Sequence, residues 1–269
     1  MSSFDFPVRI APMFALNLSA AGAFSAVLSC AAMAAGTPVR QSSLELFDHA
    51  RQRAVPVELY FPPESRGCAP ARPCPIAILS AGTGIGIREY GFIAKPLAAR
   101  GYLVVSVDHQ LPTDPAMPRA GDLTAHRRAL WERNANNIRF VQEALRPSSA
   151  SYVWDKPLLV GHSSGGDSSA WIETETPGFA SAIITLDHRR AALPRGATPP
   201  VLSIRASDTE ADAGVLPTAR EQAASGALIV KFANARHNDM FDGGSEELKA
   251  RILAEIEKFL QKQGGANGA

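Results

Sequence analysis

The feature that most constrains the fold of this chain is the run Leu158-Leu159-Val160-Gly161-His162-Ser163-Ser164-Gly165-Gly166. A short apolar run that ends in G-x-S-x-G reads as a buried strand that delivers a serine onto a sharp turn, with a helix following. Ser163 is the serine in register, because Gly161 and Gly165 flank it symmetrically; Ser164 is not. The glycines leave room for strained backbone, and the hydroxyl then stands clear of the sheet.

The rest of the chain alternates short aliphatic or β-branched runs with longer amphipathic stretches, the pattern of an α/β fold with a mostly parallel sheet covered by helices. Strands are expected at Ser43–Asp48 and Val55–Phe61, forming an antiparallel edge, and then at Ile76–Ser80, Tyr102–Asp108, Pro157–Val160, Ala182–Asp187, Val201–Arg205 and Leu228–Phe232. Helices are expected at Glu89–Arg100, closed by Gly101, at Asp122–Leu145, after Ser163, and at Ser245–Gln263. With 269 residues, 46% of them hydrophobic, the chain can bury one sizeable core. Residues 36–263 are therefore read as one catalytic domain, with a disordered tail at 264–269.

The formal net charge is +1, and no run of Lys or Arg builds the footprint that nucleic acid or a membrane surface would require. The first 35 residues differ from the remainder. Arg9 precedes Ile10–Ala35, which holds no charged residue, and Ala32-Met33-Ala34 offers a small-x-small cleavage pattern. This reads as a secretory signal, hence a periplasmic or secreted protein with no stable membrane span after processing. Two alternatives stay open, an uncleaved anchor and a lipoprotein lipidated at Cys30 in Val27-Leu28-Ser29-Cys30. Cys68 and Cys74 remain after such processing, and an even count in an exported chain suggests a disulfide, with two free thiols as the alternative.

A serine hydroxyl is a poor nucleophile at neutral pH and needs a base, oriented in turn by an acid. Of the histidines beyond Ser163, His188 sits directly on a strand end, whereas His237 follows the last strand in a loop able to reach back over the sheet. His237 is the expected base. Two aspartates end strands in the right interval: Asp208 after Val201–Arg205, preferred because that loop is the commoner donor in such sheets, and Asp187 after Ile183–Leu186. Donors for a developing oxyanion are expected from the backbone N–H groups of Ser164 and of Thr83 in Ser80-Ala81-Gly82-Thr83. Gly84-Ile85-Gly86 lacks the third glycine of a dinucleotide-binding fingerprint. Tyr90 and Trp171 are candidate pocket walls.

Through these residues the sequence resembles the α/β-hydrolase superfamily, in particular bacterial relatives of platelet-activating-factor acetylhydrolase and dienelactone hydrolase. Gly161-His162-Ser163-Ser164-Gly165-Gly166 matches the nucleophile motif, and Val107-Asp108-His109 is similar to a strand-end acid–His pair. Ser80-Ala81-Gly82 stands where Ser-His-Gly is frequent, with Ala81 in place of histidine. The acetylhydrolases place the acid where Asp187 stands and the dienelactone hydrolases where Asp208 stands, so the resemblance leaves that choice open. It implies hydrolysis of a small-molecule ester through an acyl-enzyme, with no metal or organic cofactor, while the short span from Gly166 to Asp187 fits acyl groups of short or medium length. Cleavage of a lactone, thioester or amide, and a non-catalytic binding role, are the alternatives. No insertion long enough for a helical lid separates Gly166 from Asp187.

Overall fold

Eight strands form one sheet in the order β1-β2-β4-β3-β5-β6-β7-β8. The computed structural model describes residues 38–116, 118, 120–121 and 123–266, without side chains at 264–266. The signal segment, its cleavage pattern and Cys30 lie outside the described residues, as does the end of the expected tail. The strands are β1 Gln41–Asp48, β2 Arg53–Tyr60, β3 Cys74–Ser80, β4 Leu103–Val107, β5 Tyr152–His162, β6 Ala182–Leu186, β7 Val201–Arg205 and β8 Leu228–Lys231. β1 pairs antiparallel with β2 and β2 antiparallel with β4; every pairing from β4 to β8 is parallel. The expected antiparallel edge is therefore present, and the doubly covered parallel centre explains why those strands read as unbroken apolar runs.

Helices α1 Gly91–Arg100, α2 Thr124–Leu145, α3 Ser164–Glu175, α4 Ala219–Ser225 and α5 Glu246–Ala266 complete the fold. Alternate strand residues divide the core into two layers, as the period of two requires. Leu79, Val104, Val160, Ile184 and Leu202 pack with α1 and α5, whereas Ile78, Val105, Leu159, Ile183 and Val201 pack with α2 and α3. On α5, Leu248, Ile252, Ile256 and Phe259 are buried at a helical spacing, each contributing roughly 2 kcal/mol of transfer free energy. Gly101 closes α1 at φ 114°, its N–H bonding the Leu97 and Ala98 carbonyls.

Beyond shifts of one or two residues at element ends, three features differ from expectation. β5 begins at Tyr152 rather than Pro157, because the strand passes an irregularity at Lys156 (φ 51°) where charged residues and a proline interrupt the apolar run. α4 was not expected, although Thr218-Ala219-Arg220-Glu221 is a capping-box sequence and both of its reciprocal bonds form. α5 runs past Gln263 to Ala266. Cys68 and Cys74 are joined by a disulfide, across a tight Ala69–Arg72 bridge that leads into β3.

Candidate active site

The carboxyl ends of β3, β5, β6 and β7, and the loop beyond β8, converge on Ser163. This serine lies at φ 51°, ψ −120°, between the end of β5 and the first turn of α3. An L-residue holds that conformation only where its surroundings compel it. The glycines beside it permit the close crossing: a Cβ on Gly161 would lie 2.4 Å from the Gly165 backbone, and one on Gly165 would lie 2.1 Å from the Ser80 carbonyl oxygen.

His237 opens a short helical turn beyond β8, 8% exposed. Its Nε2 lies 3.0 Å from Ser163 Oγ, and its Nδ1 lies 2.5 Å from Asp187 Oδ2. Asp187 is fully buried and sits just past β6 at φ 45°. Its carboxylate also accepts bonds from the Thr209 hydroxyl and, at 3.0 Å, the Ala206 N–H, and it faces the Arg205 guanidinium at 2.9 Å. Burial pushes this carboxyl up, but the His237 and Thr209 bonds, Arg205 and the Ala206 amide together outweigh it and hold it at about 2. A group so held is an anion at neutral pH.

Asp208, the preferred acid from sequence, is not on the ring. Its Oδ1 instead accepts the backbone N–H of His237 at 2.7 Å. Lying beyond the end of β7, it reaches the main chain of the His237 loop, while Asp187 at the end of β6 lies under the imidazole. His188, set aside from sequence, is fully buried, its ring meeting no more than a weak contact with the Ala191 main chain among the described residues.

Thr83 and Ser164 are brought together: the Thr83 hydroxyl donates to Ser164 Oγ at 2.8 Å, and neither residue's backbone N–H meets an acceptor among the described residues. Beside them lies a cavity of about 460 Å³, walled by Gly82, Thr83, Ser164, Asp108, Leu130 and Asn134. A second space of about 380 Å³ shares Thr83, Gln110, Ala116 and Leu130 with it and adds Pro118, Ala129 and Arg133. The sequence reading missed the walls supplied by the β4–α2 loop and by α2; the strand-end pair Asp108-His109 was their one visible signal. Tyr90 and Trp171 line neither space. Tyr90 is buried in the core with its hydroxyl on His162, and Trp171 packs against Trp131.

Among the described residues, no three His, Cys, Asp or Glu side chains gather as a metal ion would require. No described helix is long and apolar enough to cross a membrane.

No protein-family model matches the sequence, and no curated protein matches it. Solved structures do. A ferulic acid esterase from Streptomyces cinnamoneus is 25% identical, with 75% of this chain and 74% of that one covered at a TM-score of 0.52. Thermogutta terrifontis esterase 2 phosphorylated by paraoxon is 14% identical, covering 83% and 94% at a TM-score of 0.62. The same esterase with propionate bound is 15% identical, covering 84% and 94% at 0.62. The strand order with its antiparallel β2, the serine on its turn between β5 and α3, and these likenesses identify the chain as a member of the α/β-hydrolase superfamily.

Proposed function

We propose that the chain is a serine hydrolase of carboxylic esters. The observation that carries the reading is the continuous contact from Ser163 Oγ through His237 to Asp187, at 3.0 and 2.5 Å. His237 Nε2 takes the Ser163 proton as Oγ attacks the ester carbonyl, and the N–H groups of Thr83 and Ser164 receive the oxyanion. As the intermediate collapses, the C–O bond to the alcohol breaks and His237 returns the proton to the leaving oxygen. Water, deprotonated by the same imidazole, then attacks the acyl-serine; the bond from the acyl carbon to Ser163 Oγ breaks, His237 returns the proton to Oγ, and the acid is released. Asp187 stays ionised throughout, holding Nδ1–H and stabilising the imidazolium, while Asp208 anchors the loop through the His237 main chain.

The esterase names of the structural neighbours support an ester as the bond cleaved, and the propionate held by the Thermogutta enzyme supports short acyl groups. The lack of an insertion between α3 and β6 supports a site open to small esters. The disulfide fits an oxidising compartment, in keeping with export directed by the N-terminal segment to the periplasm or the medium.

The test is hydrolysis of p-nitrophenyl butyrate by the unaltered chain and by Ser163→Ala, alongside stoichiometric labelling by paraoxon. Turnover that falls by about 10⁴-fold or more in the variant, together with loss of labelling, is the expected result. A Ser163→Ala protein that keeps turnover within about tenfold of the unaltered chain overturns the reading.

A further inference from the structure

Three hydrogen bonds pass behind the Ser163 turn and end on either side of it. Gly82 N–H donates to the Tyr90 hydroxyl at 2.9 Å, that hydroxyl lies 2.8 Å from His162 Nδ1, and His162 Nε2 lies 3.0 Å from the His237 carbonyl oxygen. Tyr90 and His162 are 1% and 2% exposed, so water offers these groups no substitute. The chemistry of the partners fixes the protons. A carbonyl only accepts, so His162 Nε2 carries hydrogen; the neutral ring then has a bare Nδ1, which accepts from Tyr90. The hydroxyl, its one proton given away, accepts from Gly82.

We propose that Tyr90 and His162 are positioning residues that tie the Gly82-Thr83 turn to the His237 loop, so that the Thr83 N–H and the His237 imidazole address the same carbonyl. The inference rests on Ser163 being the nucleophile. Oxyanion stabilisation depends on donors held at the right distance before the charge develops, and both groups here sit on loops that no sheet ladder restrains. His162, the residue before Ser163, stands between those loops and touches each. Burial, then the neighbouring His237, pushes His162 down to about 4. It thus stays neutral at pH 7 and adds no repulsion when the His237 ring, 5.0 Å away centre to centre, becomes an imidazolium. The fit is close from the turn side as well: a Cβ on Gly82 would lie 2.8 Å from His162 Nδ1.

The test is a double-mutant cycle on p-nitrophenyl butyrate, with melting temperatures measured for every variant and assays run well below them. Tyr90→Phe keeps the ring and removes the hydroxyl, and is expected to lower kcat about tenfold with KM changed by less than about twofold. His162→Gln, whose amide can both accept from Tyr90 and donate to the carbonyl, is expected to retain more kcat than His162→Leu. Adding Tyr90→Phe to His162→Leu is expected to cost nothing further, since one relay is broken once. Tyr90→Phe within about twofold of the unaltered kcat, or losses that simply multiply, overturns the proposal. Ring-nitrogen NMR is independent of turnover: His162 must read as the neutral Nε2–H tautomer, and an Nδ1–H tautomer overturns the relay. A chain that hydrolyses no ester removes the nucleophile reading; the relay then stands or falls on that spectrum alone.

Discussion

A carboxylate bonded to the His237 ring and one bonded to its backbone do different physical work, and substitution separates them. Asp187 opposes Nδ1, so replacing it by Asn keeps the volume but removes the charge and the exclusive acceptor that selects the tautomer. Asp187→Asn is expected to lower kcat by about 10³- to 10⁴-fold. Asp208→Asn still offers an oxygen to the His237 N–H and is expected to stay within about tenfold. Steady-state kinetics on one ester decides; a greater loss at Asp208 than at Asp187 would return the acid to the β7 loop. Both aspartates were visible in the sequence as strand-end acids. The choice between them was not, because it depends on where a loop some 50 residues downstream of Asp187 closes over the sheet. Ser163 and His237 needed no such distance: a motif names the first, and chain order leaves few candidates for the second.

At the level of elements, the turn at Ser163 works because α3 presses against the end of β3. Gly165 is the contact point, where any Cβ would fall 2.1 Å from the Ser80 carbonyl oxygen and 2.7 Å from that of Ala81. Those obstacles are backbone, not the yielding ends of side chains. Gly165→Ala must therefore push α3 off β3, displacing Ser163 relative to the Thr83 turn, and is expected to destabilise the fold by about 3 kcal/mol and lower turnover at least about 100-fold. Urea titration and kinetics check the two effects; a fully active and stable Gly165→Ala protein would contradict the close crossing. The same glycines made this element legible in sequence, since only a tight crossing demands them. β5 was legible only in its second half. Pairing with β3 carries the strand through the charged Asp155-Lys156 stretch, with a register shift between Pro75 and Ala77 absorbing the irregularity. α4 is only seven residues long and lacks a buried side; its capping box, not its periodicity, was the available signal.

The molecule as a whole stores three largely buried imidazoles: His109, His162 and His188 are 6%, 2% and 0% exposed. Burial holds them at about 3, 4 and 3 respectively, against 6.5 for a free ring. The unfolded chain therefore binds these protons at a higher pH than the folded one, and stability rises with pH wherever the two states differ in protonation. The stabilisation is complete above about pH 6.5 and is lost progressively as pH falls toward 4, by up to about 1.4 kcal/mol per pH unit for each ring. Asp187 acts in the same direction lower down: with its carboxyl at about 2, its contribution is present above the unfolded value near 4 and is lost as pH falls through 2. Urea unfolding at pH 7, 6 and 5 is expected to show a steep decline. His188→Leu isolates one component, because the ring has only a weak main-chain contact, to Ala191, to sacrifice. That variant is expected to be at least as stable as the unaltered chain at pH 5 and to lose stability with a slope shallower by about 1.4 kcal/mol per pH unit. A stability that stays level from pH 7 to 5, or a His188→Leu slope equal to that of the unaltered chain, would mean that these rings do not govern the acid sensitivity of the fold.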